Sequence, residues 1–286
     1  LTAAGDLTAT ATAGGAAIAG VGVSGAGAIS AATDVGIDSI LAPNSLTVTA
    51  GRDVVLGDGA SDVSGLVTVD AARNVSVDLA SARIDRIIAG GLVDLRGGAL
   101  DIGAVSGSTI LAQAASVRIG EAVSAGDIYL ISSGGDAGVA TATAGDDIYI
   151  VATHGTASLG SATLTGQGAD TVVANVAGNP DSAGNGRIVS LSSTDLDASL
   201  GQGTGGVAGA TAVTVTAGQD ALVDVLSETS GALTVVAARD ATLKTPSAGL
   251  GAVTAGRDLT VGNTVGDFTV TSPLNATRNI TVTAAG

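Results

Sequence analysis

Few side chains in this sequence could carry out catalysis. There is one histidine, no cysteine and 26 acidic residues among 286. His154 has no nearby pattern of serine and aspartate that resembles a catalytic triad, and we interpret it as a solvated turn residue. The pairs Asp58 with Asp62 and Asp195 with Asp197 could act as the two carboxylates of a polysaccharide hydrolase or lyase. Because strand surfaces in an acidic protein produce such pairs by chance, we expect no enzyme.

A metal site would need oxygen or imidazole ligands, because the absence of cysteine removes thiolate ligands and disulfide bonds alike. The run Gly-Gln-Gly-Ala-Asp at residues 166–170 resembles one unit of the calcium-binding nonapeptide repeats. Those sites take carboxylates from consecutive turns, and neighbouring segments here keep neither the glycine spacing nor the nine-residue period. We therefore expect no bound cofactor and at most loose Ca²⁺ binding by the acidic surface.

The composition limits the class of protein further. Eleven basic and 26 acidic residues give a net charge of −15, the wrong sign for gripping a phosphate backbone, so we expect no nucleic-acid partner. Apolar residues make up 45% of the chain and charged residues only 13%, which argues against disorder. With two tyrosines, one phenylalanine and no tryptophan, the core must be thin and built from small side chains.

A short motif recurs along most of the chain. Ala-Gly-Arg-Asp followed by alternating apolar residues stands at 50–56 and again at 255–261. Neighbouring copies follow one another at a spacing of roughly 18 to 21 residues, which is typical of one solenoid turn. An apolar-x-apolar strand precedes the motif in the clearest copies, so each unit reads as strand, corner, strand. The last polar residue of the corner is Asp or Asn, at Asp53, Asn74, Asp147, Asp220, Asp240, Asp258 and Asn279.

Period-two alternation within the units predicts strands rather than helices. Around the first clear corner, Leu46, Val48, Val54 and Leu56 fall on the inward face and Val55 points outward. An isolated pair of such strands could not bury its apolar face, so successive units must stack. The sequence therefore predicts an all-β fold, a parallel β-helix or β-solenoid with turns of about 18–21 residues and two strands in each turn.

The repeats are not equally regular along the chain. They are clearest over residues 46–150 and 213–283, whereas residues 1–45 and 160–210 are predicted to be irregular or loop-rich. The boundaries between these regions are soft. We therefore interpret residues 1–286 as a single β-solenoid shaft segment.

Three stretches bear on this interpretation. The glycine-rich run at 201–206 predicts a loop or irregular turn, and residues 179–186 predict the clearest excursion from the solenoid. Residues 7–33 carry no charge and are long enough to span a bilayer. Their six glycines and alternating apolar residues favour strands over a membrane-spanning helix.

The corner residues have two interpretations, of which we favour the structural one. A short carboxylate or amide side chain can bond backbone groups of the turn, and the preceding glycine can take positive φ. Stacked carboxylates about 4.8 Å apart would repel by roughly 0.9 kcal/mol at the dielectric constant of water. Arginine stands before five of the seven corner residues and asparagine replaces aspartate at two, which reduces that cost. The alternative is a catalytic use of the acidic column.

The two tyrosines occupy equivalent positions in neighbouring units. Tyr129 and Tyr149 each stand at the middle position of a strand, where period two places the side chain outward. We predict that their rings stack face to face on adjacent turns as a surface ladder. The alternative is a two-ring patch that binds a sugar.

The run Ala-Gly-Arg-Asp-Leu-Thr-Val at 255–261 resembles the haemagglutinin repeats of filamentous-haemagglutinin-like exoproteins of Gram-negative bacteria, as does its recurrence along the chain. The resemblance covers most of the chain. It implies a right-handed parallel β-helix, exported by two-partner secretion through an outer-membrane transporter, that serves as the stalk of an adhesin or contact-dependent toxin. It also implies a secreted or cell-surface location, with host or neighbouring cell surfaces or glycans as partners.

From the repeat and the lack of catalytic clusters we expect a non-catalytic, secreted or cell-surface shaft that mediates attachment or extends a binding or toxin module. The chain begins at Leu1 without the basic start of a signal peptide, so we expect a segment of something longer. The alternative is a subunit of a self-assembling extracellular filament, joined through end turns or side faces.

Overall fold

The structure is a computed structural model in which all regular secondary structure of the described residues is β-strand. Those residues include no helix with the length and apolar character needed to cross a bilayer. The chain divides into two compact units, Leu1–Ser124 and Ala125–Gly286, here called unit 1 and unit 2. The structure describes residues 1–41, 44–57, 62–165, 188–193, 198–205, 207–208, 212–225, 232–245, 250–263, 270 and 272–284.

Unit 1 is built from strands that are short at first and much longer in its later turns. Their bounds are β1 (Thr2–Ala3), β2 (Leu7–Ala11), β3 (Ala16–Ile18), β4 (Val21–Val23), β5 (Ala26–Ala31), β6 (Val35–Ile37), β7 (Ile40–Leu41), β8 (Ser45–Ala50), β9 (Val54–Leu56), β10 (Asp62–Ala71), β11 (Val75–Ala89), β12 (Leu92–Gly107) and β13 (Thr109–Ser124).

These strands stack in three parallel columns, so each turn of unit 1 has three faces. Column A runs through β1, β4 and β7, column B through β2, β5 and β8, and column C through β3, β6 and β9. The long strands β11 to β13 each contribute a segment to all three columns. The prediction of two strands per turn is therefore wrong for unit 1, because the column A strands β1, β4 and β7 are only two or three residues long.

Unit 2 contains shorter strands throughout. Their bounds are β14 (Ile128–Ser132), β15 (Ala137–Ala144), β16 (Ile148–Ala152), β17 (Ala157–Leu164), β18 (Ile188–Ser193), β19 (Ala198–Gly205), β20 (Val207–Ala208), β21 (Ala212–Ala217), β22 (Ala221–Val225), β23 (Ala232–Ala237), β24 (Ala241–Thr245), β25 (Leu250–Ala255), β26 (Asp258–Asn263), β27 (Leu274–Ala276) and β28 (Asn279–Ala284).

Two parallel columns account for nearly all of these strands. Column D contains β14, β16, β18, β21, β23, β25 and β27, and column E contains β15, β17, β19, β22, β24, β26 and β28. The solenoid fold predicted from the repeat is confirmed, since the strands are parallel and stacked.

Two regions expected to be irregular form strands instead. The segment 1–41 contains β1 to β7, and the glycine-rich run after Leu200 belongs to β19 as far as Gly205. Glycine breaks the visible alternation of a strand, but each glycine still donates and accepts the cross-turn backbone bonds on which a solenoid depends. The predicted excursion at residues 179–186 lies outside the described residues.

The length of a turn varies more than the motif spacing suggests. The number of residues that separates register partners is small from Leu92 to Thr109 and clearly larger from Ile188 to Ala212. One turn is far longer still, since β16 pairs with β18 and Ile148 faces Val189. The chain therefore inserts about one extra turn's length of sequence there without losing the register of column D.

The interior follows the predicted period-two register. Leu46, Val48, Val54 and Leu56 are at most 1% exposed, whereas Val55 between the last two is 50% exposed. The inward side chains in the described residues are mostly Val, Ile, Leu and Ala, each larger one contributing roughly 1.5–3 kcal/mol on burial. This thin aliphatic core explains how a chain almost without aromatic residues folds.

The corner glycines are required by space rather than by φ. Gly51 and Gly256 are not among the glycines with positive φ in the described residues, contrary to our expectation. A Cβ added at Gly51 would lie 2.1 Å from the carbonyl oxygen of Ala32, and one at Gly256 would lie 1.9 Å from that of Ala238. Both positions therefore let the backbone of one turn pass close to the turn beside it.

Candidate functional site

The seven predicted corner residues do not form one row. Four of them form a bonded series in unit 2, here called the unit 2 ladder, which consists of Asp220, Asp240, Asp258 and Asn279 together with Arg239, Arg257 and Arg278. Two others belong to the unit 1 ladder, which consists of Asp34, Asp53 and Asn74 together with Arg52 and Arg73. The seventh, Asp147, lies in a different column.

In the unit 2 ladder each carboxylate is held by the arginine of the next turn. Arg239 donates from Nε to Asp220 Oδ1 over 2.7 Å and from Nη2 to Oδ2 over 2.5 Å. Arg257 grips Asp240 in the same two-pronged way. Arg278 does so with Asp258. Such fork-to-fork pairs fix geometry as well as neutralise charge, so the column of carboxylates is not left to repel.

The same carboxylates also bind the backbone of the next turn. The N–H of Asp240 donates to Asp220 Oδ1 over 3.1 Å, and the N–H of Asp258 donates to Asp240 Oδ1 over 3.2 Å. Asn279 donates from its side-chain amide to Asp258 Oδ1 over 2.9 Å. Asp220 and Asp240 therefore each cap a backbone donor that the chain leaves unpaired when it turns from one strand to the next.

The unit 1 ladder uses the same contacts and then ends. Arg73 donates from Nε to Asp53 Oδ1 over 2.9 Å, and the N–H of Asn74 donates to the same oxygen over 3.0 Å. Asn74 Oδ1 in turn accepts the N–H of Leu92 over 2.9 Å. At the equivalent corner of the next turn Gly90 and Gly91 take the place of the arginine, and a Cβ added at Gly91 would lie 2.4 Å from Asn74 Oδ1. A neutral amide therefore stands where the next corner brings no cation.

The arginine contacts govern the acidity of the ladder. The Arg73 guanidinium lowers the pKa of Asp53 to about 2, and Arg278 lowers the pKa of Asp258 to about 2. The pKa values of Asp220 and Asp240 are also lowered, chiefly by hydrogen bonds from Arg239 and Arg257. These four carboxylates are therefore fully ionised at neutral pH, which suits a clasp between turns and not a general acid.

Asp34 is a ladder residue that the sequence analysis missed. Its Oδ1 accepts the N–H of Asp53 over 3.2 Å and lies 3.4 Å from Arg52 Nε. The signal was present, because Ala31-Ala32-Thr33-Asp34 is a corner with threonine in place of arginine. Asp6 and Asp136 make the same kind of bond, to the N–H of Ala26 and of Thr156 over 2.9 Å each.

Asp147 belongs to a separate, buried corner, because its copy of the motif leads into column D instead of column E. The motif copies at 125–130 and 144–150 lead into β14 and β16, and the N–H of Asp147 donates to Asp127 Oδ1 over 3.2 Å. Asp127 and Asp147 are 1% and 4% exposed, and Asp146 occupies the position that arginine holds elsewhere. A local motif does not specify which corner of a turn it occupies. The expectation that all seven corner residues lie in one column was therefore wrong.

The two tyrosines lie on adjacent turns as predicted, but they are not a surface ladder. Tyr129 and Tyr149 are register partners with ring centroids 6.2 Å apart and ring planes tilted by 58°. They are only 1% and 8% exposed, and burial raises the pKa of Tyr149. The tilt excludes a face-to-face stack, and the burial of both rings excludes an open sugar-binding patch.

The other candidates for chemistry do not gather into a site. His154 is exposed in the turn between β16 and β17. Residues Asp58, Asp195, Asp197 and 166–170 lie outside the described part of the chain, as does the side chain of Asp62. Within the part that the structure describes, no group of three or more histidine or acidic side chains is placed to hold a metal ion.

The arrangement of polar side chains is therefore suited to joining one turn to the next. Comparison of the chain with models of known protein families, with curated proteins and with solved structures finds no match.

Proposed function

We propose that this chain is a non-catalytic shaft segment of a secreted or cell-surface exoprotein, which mediates attachment or holds a binding or toxin module away from the producing cell. In a parallel solenoid each turn contacts only its neighbours, so reach can be extended by adding turns. The resemblance of the corner motif to haemagglutinin repeats supports this role. By the same resemblance, the exporter is an outer-membrane two-partner secretion transporter.

The observation that carries the proposal is the use made of the corner carboxylates. A hydrolase or lyase would direct such carboxylates toward a substrate in a groove. Asp220, Asp240 and Asp258 are instead directed along the stack, each held by an arginine fork from the next turn. Four ion pairs of this form, with Asp53 and Arg73 included, make the repeat a means of fastening turns together.

The location of the protein tests this proposal directly. Antibodies raised against the purified chain should label the outer surface of intact producing cells in immunogold electron microscopy. Removal of whole turns from the natural protein should bring the label closer to the membrane in proportion to the number removed. Labelling confined to the cell interior would refute the shaft. Label along continuous fibres with a regular repeat would instead favour the self-assembling extracellular filament subunit.

A further inference from the structure

Most arginines in the described residues are committed to ion pairs. Six of the nine pair with aspartates, namely Arg52, Arg73, Arg96, Arg239, Arg257 and Arg278. The other three, Arg83, Arg86 and Arg118, form no ion pair or side-chain hydrogen bond in the described part of the chain. All three are exposed in the later turns of unit 1, so the unpaired guanidinium groups of the described chain are clustered.

Acidic residues stand among these arginines without forming ion pairs with them. The register places Arg83 opposite Asp101 and Asp101 opposite Arg118, an alternating row across three turns of column A. Asp85 lies at the corner between columns A and B, beside Arg83. Neither Asp85 nor Asp101 forms an ion pair with a described residue. The side chains at this corner therefore offer hydrogen-bond donors and acceptors that form no ion pair with the described residues.

Three of these residues, Arg83, Asp85 and Asp101, line a surface pocket. Its volume is about 130 Å³, and its walls are Leu66, Arg83, Ile84, Asp85, Asp101 and Gly103. Leu66 is a large apolar side chain left 45% exposed at the pocket. A Cβ added at Gly103 would lie 2.5 Å from the carbonyl oxygen of Asp85, so the backbone allows no side chain that would fill the corner. Concave shape, an apolar wall and converging polar groups coincide here.

We propose that this pocket, here called the Arg83–Asp101 pocket, binds one unit of a neutral saccharide. Carboxylates of Asp85 and Asp101 would accept hydrogen bonds from sugar hydroxyls, Arg83 would donate to a hydroxyl or ring oxygen, and Leu66 would contact a C–H face. The pocket is smaller than the roughly 300–1,000 Å³ of sites for drug-sized ligands, so only one ring enters.

The charge of the site favours a neutral ligand over an acidic one. The pocket is lined by one arginine, Arg83, and two carboxylates, Asp85 and Asp101, within a protein whose net charge is −15. A sulfated or uronic saccharide would meet repulsion from the whole molecule and no excess of cations locally. A neutral sugar uses donors and acceptors together without that repulsion.

Binding to the purified chain tests the pocket. Saturation-transfer difference NMR with methyl glycosides of glucose, galactose, mannose and N-acetylglucosamine should show at least one bound probe. Asp101→Asn and Arg83→Gln should each weaken that binding by about tenfold or more, because each removes a charged hydrogen-bonding partner. Asp78→Asn is the matched control, since Asp78 is another carboxylate of unit 1 that forms no ion pair with a described residue and does not line the pocket.

Three results would overturn the proposal. No probe binds, or only sulfated or uronic methyl glycosides bind, or Asp78→Asn weakens binding as much as Asp101→Asn does. Circular dichroism and thermal melting of each variant show whether it is folded, and Asp85→Asn provides a second pocket variant if one is not. This site goes beyond the shaft function, because sugar binding by the purified chain can fail while cell-surface labelling succeeds, and the reverse.

Discussion

Two rows of alternating charge in unit 1 differ in what their side chains contact. In the unit 1 ladder, Arg73 grips Asp53 of the neighbouring turn and a backbone N–H shares the same carboxylate. In the Arg83–Asp101 pocket, register partners of opposite charge form no such bond. Opposite charges on adjacent turns are therefore not sufficient for a clasp.

The position in the turn explains the difference. Asp53 stands at a corner, where the chain leaves one column and a backbone donor of the next turn needs an acceptor. Asp101 stands within a strand segment, where the neighbouring backbone groups already pair along the column. We infer that Asp53, which accepts bonds from both an arginine and a backbone N–H of the next turn, holds the turns together, whereas Asp101 remains open to a ligand.

The largest expected effect comes from a deletion that disrupts the register on which both rows depend. Deletion of residues 75–92 takes out one whole turn, because Val75 and Val93 are register partners. The shortened protein should remain folded and lose only the stability of one turn. Deletion of 75–83 should unfold unit 1, since it places the remaining strands out of register. Circular dichroism and limited proteolysis would measure both, and equal damage would contradict the assigned columns.

Substitution in the shared core should have the next largest effect. Val54 is 1% exposed and Val55 is 50% exposed. Val54→Asp buries an unpaired charge and should lower the free energy of unfolding by roughly 4 kcal/mol or more. Val55→Asp should change it by about 0.5 kcal/mol or less. Urea titration followed by circular dichroism measures both, and similar losses would show that the inward face has been misassigned.

Acid should weaken the ladders. The folded-state pKa values of Asp53 and Asp258 are about 2, below the ordinary 3.8. The stability that these groups add is complete above about pH 4 and is lost as the pH falls toward 2. Thermal melts between pH 5 and 2 should show this loss. Asp53→Asn should flatten the profile, and an unchanged profile would contradict the role of the Arg73 contact.

Replacement of one arginine by alanine should distinguish the two rows by its effect on the melting temperature. Arg73→Ala leaves Asp53 without its fork and should lower the melting temperature measurably, although both groups are partly exposed and salt screens the pair. Arg83→Ala breaks no bond within the described part of the chain and should leave the melting temperature nearly unchanged. Differential scanning calorimetry at low and high salt measures the contrast. Equal shifts would mean that the two rows do not differ.

The smallest expected effect concerns the neutral end of the unit 1 ladder. Asn74→Asp introduces a carboxylate at a position where the next corner carries Gly90 and Gly91 instead of an arginine. Repulsion from Asp53 should lower the free energy of unfolding at pH 7 by less than Arg73→Ala does, because water screens both carboxylates. The loss should vanish when the new carboxylate is protonated at low pH. Equilibrium unfolding at both pH values would detect it, and a gain in stability at pH 7 would contradict the pairing rule.

The sequence was sufficient for the fold class and the inward register. Alternation around Leu46 and Val54 specified which side chains face the core, because a one-residue slip would expose all of them. The third column of unit 1 was missed because its strands, such as Val21–Val23, are too short to show a period. The number of strands in a turn depends on where the chain bends, which short polar and glycine-rich segments do not reveal.

The site was less predictable, because the motif is a local feature of the sequence, whereas the register that brings its residues together depends on how the turns stack. Asp147 and Asp240 follow similar corners, but the first is buried in column D and the second is partly exposed at the start of column E. Tyr129 and Tyr149 were predicted to be exposed because alternation cannot show what covers an outward position. The pairing of each arginine with the preceding turn likewise depends on stacking.

A double-mutant cycle tests most directly whether the corner ladder fastens adjacent turns. Thermal and urea unfolding would be measured for Asp53→Ala, Arg73→Ala and the double variant, with Arg83→Ala and Asp101→Ala as the reference cycle. If the ladder fastens the turns, the first double variant should lose clearly less stability than the sum of its single variants, and losses in the reference cycle should be additive. Additivity in both cycles would show that the Asp53 and Arg73 contact does not hold the turns together.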